Sequence, residues 1–405
     1  MKNLFVKKVF GLEISKRKSK KIHGATKALI LSTIAMVVSF MSWSSLSPLA
    51  NDISQRLGLN LELQKAMIAL PVLLGSILRV PFGKLSDKYG GRKIYLISLC
   101  ASLIPIFLTY LVLQFNLSKF LIFVAAIGLG ISGASFAVSL SYASVWYHKK
   151  QQGSVLGIVG VGTIGNAISA SLLPSLSRLF HSLSSVYLFL VILTLIFIII
   201  FGLFAEESTQ PPQKNLSSIH SNKNLSALIL LSFACLIASG SFVSFGNLLP
   251  TFLGNQSIFN LSPLIAGLWS AAFSILTIIT RPIGGYLSDH FNPKLHLFIS
   301  LLGICICQFL LSIFNHFLML FLLFFMIFAI FIGLCNGYIF KMTAEIFENN
   351  IGFSTGIVGA VGSFGGFIFP FVFILIPSIS TSFIILSFVS LASAVSFIIY
   401  FYKLQ

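Results

Sequence analysis

RVPFGKLSD at residues 79–87 and RPIGGYLSD at residues 281–289 decide the architecture of this chain. Arg, Gly, Leu, Ser and Asp recur between them at one constant offset of 202 residues, pairing Arg79 with Arg281, Gly83 with Gly285 and Asp87 with Asp289. A second pair of stretches echoes at an offset of 199, where Gly153, Gly157 and Gly160 match Gly352, Gly356 and Gly359. Matches this dense, in equivalent places of the two halves, point to a duplicated unit.

Both copies lie in long apolar runs. The 405 residues are 57% hydrophobic and only 9% charged, against about 25% charged for an ordinary soluble domain. A water-soluble globule is excluded. So is a disordered chain, because 14% of residues are aromatic. The runs are continuous, with no period of two, so they read as membrane helices rather than barrel strands. A span needs about 20 apolar residues. Polar breaks predict twelve spans, at 28–50, 63–85, 94–114, 118–145, 154–178, 185–204, 225–253, 263–287, 295–314, 316–343, 352–377 and 380–402. The expected fold is an all-α membrane protein of two pseudo-symmetric six-helix bundles, residues 28–205 and 225–405. A basic tail, 1–27, precedes them. A polar linker, 206–224, containing Pro211-Pro212, joins them. Such duplicated units belong to carriers whose binding site lies at mid-membrane between the halves.

The net charge of +17 is concentrated: nine of the 26 Lys and Arg residues lie in the first 27 positions. On a membrane protein such a tail reads as an orientation signal and a contact with lipid, not as a nucleic-acid site. With the N-terminus inside, Lys84, Lys88, Arg92, Lys93, Lys149, Lys150, Lys214, Lys223, Lys294 and Lys403 share its side, and only Arg56, Lys65, Lys119 and Arg178 lie opposite. Both termini are therefore expected in the cytoplasm, with the spans in the plasma (inner) membrane. The first long apolar run starts near Ala28 and exceeds a signal core, so no cleavable signal is expected. The five Cys all fall in apolar segments without metal-ligand spacing, and neither a metal nor a cofactor is expected.

Charge inside a membrane is costly and marks function. All nine acids fall in the tail, in loops or at span ends. Arg79 and Arg281 do not. Each precedes its Asp by eight residues, about 12 Å of helix, which carries it toward the middle of an approximately 30 Å core. Two such cations need compensation. A guanidinium offers a planar fork of donors matched to oxyanions. The pair reads as a clamp for a small anion, against the plainer alternative of structural arginines bonded to carbonyls or facing water. Lys341, toward the end of the tenth span, is expected to snorkel to the interface.

Glycine marks the fifth and eleventh spans: Gly153, Gly157, Gly160, Gly162 and Gly165 in one, Gly352, Gly356, Gly359, Gly362, Gly365 and Gly366 in the other. Glycine permits close helix approach in lipid, and the two stripes read as a moving interface between halves. The charged stretch from Gly83 to Lys93 reads as a turn between spans two and three. Within it Asp87, with Arg92 nearby, is expected to pair with a neighbouring helix end and hold the inward side shut.

These residues resemble a known family. The Gly83–Lys93 stretch resembles the signature of the major facilitator superfamily. PVLLGSILRVPFG at 71–83, TRPIGG at 280–285, GLCNGYIFK at 333–341 and GIVGAVGSFGG at 356–366 resemble its nitrate/nitrite porter family, with similarity over roughly residues 28 to 400. The resemblance implies transport of nitrate or nitrite by rocking of two bundles, with Arg79 and Arg281 as the substrate arginines. Phe136 matches the family's stacking aromatic, and Asn336 lies in its tenth-span motif. The family's fifth-span Asn has Thr163 in its place here, with an Asn only at Asn166. Its seventh-span Tyr is replaced by Cys235, or by Phe233 in a shifted register.

With no carboxylate or His at mid-membrane, a buried proton relay is disfavoured, and exchange of nitrate for nitrite by a carrier working as a monomer is the favoured mode; proton-coupled uptake is the alternative. Competing functions are a carrier of another small organic anion or drug, and a non-transporting membrane receptor. An enzyme is not expected, because no nucleophile–base pair or metal cluster is legible.

Overall fold

The structure is a computed structural model and describes residues 19–208, 222–255, 258–376 and 378–403. Most of the basic tail, and linker residues 209–221 with Lys214, lie outside the described residues, as do the side chains of Lys223 and Lys403.

Among the described residues, twelve helices are long and apolar enough to cross a membrane. They are α1 (Ser19–Trp43), α2 (Leu61–Tyr89), α3 (Gly91–Phe115), α4 (Lys119–Ser144), α5, α6 (Leu183–Phe204), α7 (Asn222–Gly254), α8 (Pro263–His290), α9 (Pro293–Ile313), α10 (Leu318–Ile346), α11 (Ile351–Leu375) and α12 (Ile379–Lys403). The fifth is interrupted: α5 runs over Gln152–Gly160, tightens to a 3-10 turn over Val161–Ile164 and resumes over Gly165–Leu179. No strand occurs among the described residues. Helices dominate because lipid offers backbone groups no partners, so each apolar run must satisfy its own. Polar residues at the breaks supply caps. Asn60 accepts from the Leu63 amide at 2.9 Å and Asn292 from the Lys294 amide at 3.0 Å.

Two helix ends differ from the sequence expectation. The charged stretch after Gly83 is helical through Tyr89, and Gly91 already opens α3. The break is Gly90 alone, at φ 94°, a conformation few other residues adopt. Asp87 therefore stands in the last turn of a helix, not in a loop. Asp289 likewise stands in the last turn of α8. Polar residues beyond the apolar run simply continue the helix out of the membrane.

Within the first half α4 packs on α2, α3 and α1; within the second, α10 packs on α8 and α9. Between halves, α2 lies along α11 and α5 along α8. The end of α4 nearest Asp87 is buried continuously from Ser132 to Ser144, and α10 from Cys335 to Ala344. The helices thus close round each other at that end. Large apolar side chains such as Ile104, Phe120, Leu203, Met319 and Phe388 remain exposed around the outside, as a lipid-facing surface requires.

Candidate functional site

Arg79 and Arg281 reach the same place. Both are buried, and their guanidinium carbons lie 4.6 and 5.3 Å from the centroid of one ring, Phe136 of α4. Trp43 and Phe40 of α1 lie under Arg79 at 5.8 and 6.0 Å, and Phe340 of α10 lies under Arg281 at 4.9 Å. Aromatic faces attract cations by about 1–2 kcal/mol when water is excluded. That offsets only part of the cost of burying two positive charges close enough to repel.

The two guanidinium groups differ in what holds them. Arg79 donates Nε to the Gly133 carbonyl at 3.2 Å. Its Nη1 donates to the Gly359 carbonyl at 2.7 Å and to the Ser363 hydroxyl. The last two acceptors belong to α11, in the other half. Arg281 keeps Nε and Nη2 buried without an acceptor. Leaving buried charged donors unmade is expensive, and donors so placed can hold a small anion or water.

The other expected site residues spread around this centre. Phe136 touches both arginines and packs edge-on against Phe340 at 5.2 Å. The Thr163 hydroxyl turns back to its own helix and donates to the Gly160 carbonyl at 2.9 Å. Asn166 has a buried Oδ1 with no donor. Asn336 is held by its neighbours: its Oδ1 accepts from Ser239 at 2.5 Å and its Nδ2 donates to the Ile332 carbonyl at 3.0 Å. Cys235, beside Ser239 at 3.4 Å, lies within electrostatic reach of both arginines.

The glycines divide at the level of the arginines. A methyl group at Gly157 would meet the backbone of Arg281 and Pro282, and one at Gly160 the Arg281 guanidinium. At Gly356 it would meet the Arg79 carbonyl, and at Gly359 the Phe136 ring. These four face the opposite half. Gly162 and Gly165 instead abut α1 through Met36 and Val37, and Gly362 and Gly365 abut α7 through Cys235 and Leu236. That second group packs helices within their own half.

One end of the molecule is latched twice, in pseudo-symmetric fashion. Asp87 of α2 accepts from the amides of Gly352 and Phe353, both at 2.8 Å, at the start of α11, and from the Ser141 hydroxyl at 2.9 Å. Asp289 of α8 accepts from the amides of Gly153 and Ser154 at 2.9 and 2.7 Å, at the start of α5, and from the Ser154 hydroxyl at 2.6 Å. Each carboxylate meets the positive end of a helix from the other half. A salt bridge between Lys149 and Glu348 adds a third tie. Arg92 stays in its own half, donating to the Gly202 carbonyl of α6 at 2.8 Å. A cavity of about 350 Å³ covers the Asp87 latch, lined among others by Ser141, Gln152, Glu207 and Glu345.

Lys341 does not snorkel. It is buried, and its Nζ lies 3.0 Å from Asp289 and 3.1 Å from Glu345 and donates to the Lys149 carbonyl. The interface it was expected to seek is sealed by the latch, and the Asp289 carboxylate offers a better partner than lipid headgroups. The reading of the sequence also missed Ser363, Phe340, Trp43 and Phe40. Ser363 had a signal: it lies four residues after Gly359, on the same helix face.

The profile of the Major Facilitator Superfamily matches residues 32–258 and 231–405. A probable nitrate transporter, NarT, from Staphylococcus epidermidis is 34% identical over 357 residues, 87% of this chain and 90% of its own. A nitrite extrusion protein from Bacillus subtilis is 31% identical over 347 residues, 85% of each chain. Among solved structures, the human organic anion transporter MFSD10 (TETRAN) matches with a TM-score of 0.74 at 15% identity, and the E. coli fucose:proton symporter FucP with 0.70 at 14%; each match covers 92% of this chain and 99% of the other. At those identities the likeness speaks to the fold alone. The chain is thus a multi-pass membrane protein with no call for enzymatic chemistry, and it belongs to the Major Facilitator Superfamily and, within it, to the nitrate/nitrite porter family.

Proposed function

We propose that the protein carries nitrate and nitrite across the plasma membrane by alternating access, exchanging one for the other at a site formed by Arg79 and Arg281. The observation that carries this reading is the Arg281 guanidinium, buried with two donors unmade beside the same Phe136 ring that Arg79 meets. The named relatives support the choice of anion. A flat monovalent oxyanion suits the fork of each guanidinium and the aromatic floor beneath them. Exchange follows from charge. The empty site holds two cations and resists crossing the barrier, and a bound anion lowers that charge. On this proposal both termini lie in the cytoplasm, the Asp87 and Asp289 latches hold the inward side shut, and the site faces outward. Asp87 gates that side from across the interface; Arg92 supports it by fixing α3 to α6.

The test is nitrate and nitrite flux in proteoliposomes, preloaded with nitrite or empty. Arg79→Lys and Arg281→Lys keep the charge and lose the fork. Each is expected to lower flux by at least about a hundredfold, since a bidentate, charge-assisted contact is lost in a dry site. Wild-type protein that moves neither anion would overturn the assignment of substrate and leave the fold standing.

A further inference from the structure

The two arginines occupy equivalent places in the duplicated halves, yet only one is tied. The offset of 199 that pairs Gly160 with Gly359 also pairs Thr163 with Gly362 and Ile164 with Ser363. Two substitutions between the copies explain the difference. At Gly359 the carbonyl is free to accept from Arg79 at 2.7 Å; at Gly160 the equivalent carbonyl is taken by the Thr163 hydroxyl at 2.9 Å. At Ser363 a hydroxyl accepts from Arg79 Nη1; at the equivalent position Ile164 has none. Arg281 thereby loses both acceptors that Arg79 enjoys and keeps Nε and Nη2 unpaired.

This asymmetry has a mechanical meaning. The bonds of Arg79 to Gly359 and Ser363 cross from α2 to α11, so they tie one half to the other at the level of the site. Rocking must break them. An anion that accepts the same Nη1 hydrogens replaces the acceptors and releases the tie. We infer that Ser363 is a positioning residue that couples movement of the carrier to occupancy, by holding Arg79 on the opposite half until an anion takes its place. Arg281, with Nε and Nη2 free, makes the first contact with the arriving anion. The inference rests on the anion site proposed above.

The experiment uses the full chain in proteoliposomes loaded with 15N-nitrate, with the membrane potential clamped by potassium and valinomycin. Efflux is measured into nitrite, which reports exchange, and into sulfate, which reports net release requiring return of the empty carrier. Wild type is expected to exchange much faster than it releases. Ser363→Ala is expected to raise the ratio of net release to exchange about tenfold, the scale of one hydrogen bond to a charged group. Ser363→Thr keeps the hydroxyl and is expected to retain the wild-type ratio. Ile164→Ser gives Arg281 an acceptor and is expected to raise the half-saturating nitrate concentration severalfold. A Ser363→Ala protein that loses both fluxes in the same proportion, as a merely packed residue would, overturns the inference and leaves the anion site standing. So does a wild type that empties into sulfate as fast as it exchanges. A wild type that moves neither anion overturns the anion site, and the inference with it.

Discussion

Lys341 and Asp289 are worth more together than apart. The ammonium is buried between Asp289 and Glu345, and the Asp289 carboxylate also carries three hydrogen bonds from α5. Removing one member of a buried pair leaves the other uncompensated, at a cost of about 3–5 kcal/mol. Lys341→Met is therefore expected to lower the thermal unfolding midpoint of the detergent-solubilised protein sharply. The double variant Lys341→Met/Asp289→Asn is expected to recover most of the loss; no recovery would show that Lys341 acts through some other contact. Phe136 makes a second residue-scale prediction. Its ring serves both guanidinium groups, so Phe136→Leu is expected to slow exchange about thirtyfold, from loss of two contacts of about 1 kcal/mol each. An unchanged rate would make Phe136 ordinary core. At this scale the sequence was legible where depth alone decides. Arg79, Arg281 and Phe136 declare themselves by helical rise and motif. Ser363 shows its helix face but not its role, because that role comes from a guanidinium 284 residues away.

The glycine stripes of α5 and α11 look uniform in sequence but serve two contacts. Gly157 and Gly356 abut backbone of the opposite half, whereas Gly365 abuts α7 in its own half. Gly356→Ala places a methyl 2.6 Å from the Arg79 carbonyl, and Gly157→Ala one 2.8 Å from the Pro282 Cα. Backbone there cannot yield cheaply, so both variants are expected to hold the halves apart and cut exchange at least about tenfold, a cost of over 1 kcal/mol for overpacking. Gly267→Ala meets nothing within 4 Å and serves as the control; equal rates for all three would dismiss the close approach. Spacing along a helix gave the stripe and its face, but not which neighbour that face meets. The end of α2 reads as a turn in the sequence for a related reason. Charged residues there look like loop until a partner helix receives their carboxylates.

Across the whole molecule, two carboxylates tie the halves together at one end, and they are not equal. Asp289 has the Lys341 ammonium beside it; Asp87 has the Ser141 hydroxyl and borders the 350 Å³ cavity. Asp87→Asn weakens two charge-assisted bonds to α11. It is expected to open that end, lengthening the distance between spin labels at Lys93→Cys and Leu295→Cys in a background without native Cys. Asp289→Asn is expected to do so less, because Lys341 of α10 still donates to the Lys149 carbonyl of the other half. Unchanged distances in both would mean that the latches do not set the equilibrium.

Read alone, the sequence reaches the twelve spans, the duplication and the depth of the two arginines. Apolar runs in lipid have no choice but helix, and helical rise converts spacing into depth. It stops at the level of rotation and contact. Whether a carbonyl faces a guanidinium or its own helix, whether Lys341 finds lipid or Asp289, and which glycines face the opposite half depend on how two bundles meet. That meeting is set by many weak packing contacts between residues some 135 to 285 positions apart, none of which is visible in the local order of residues.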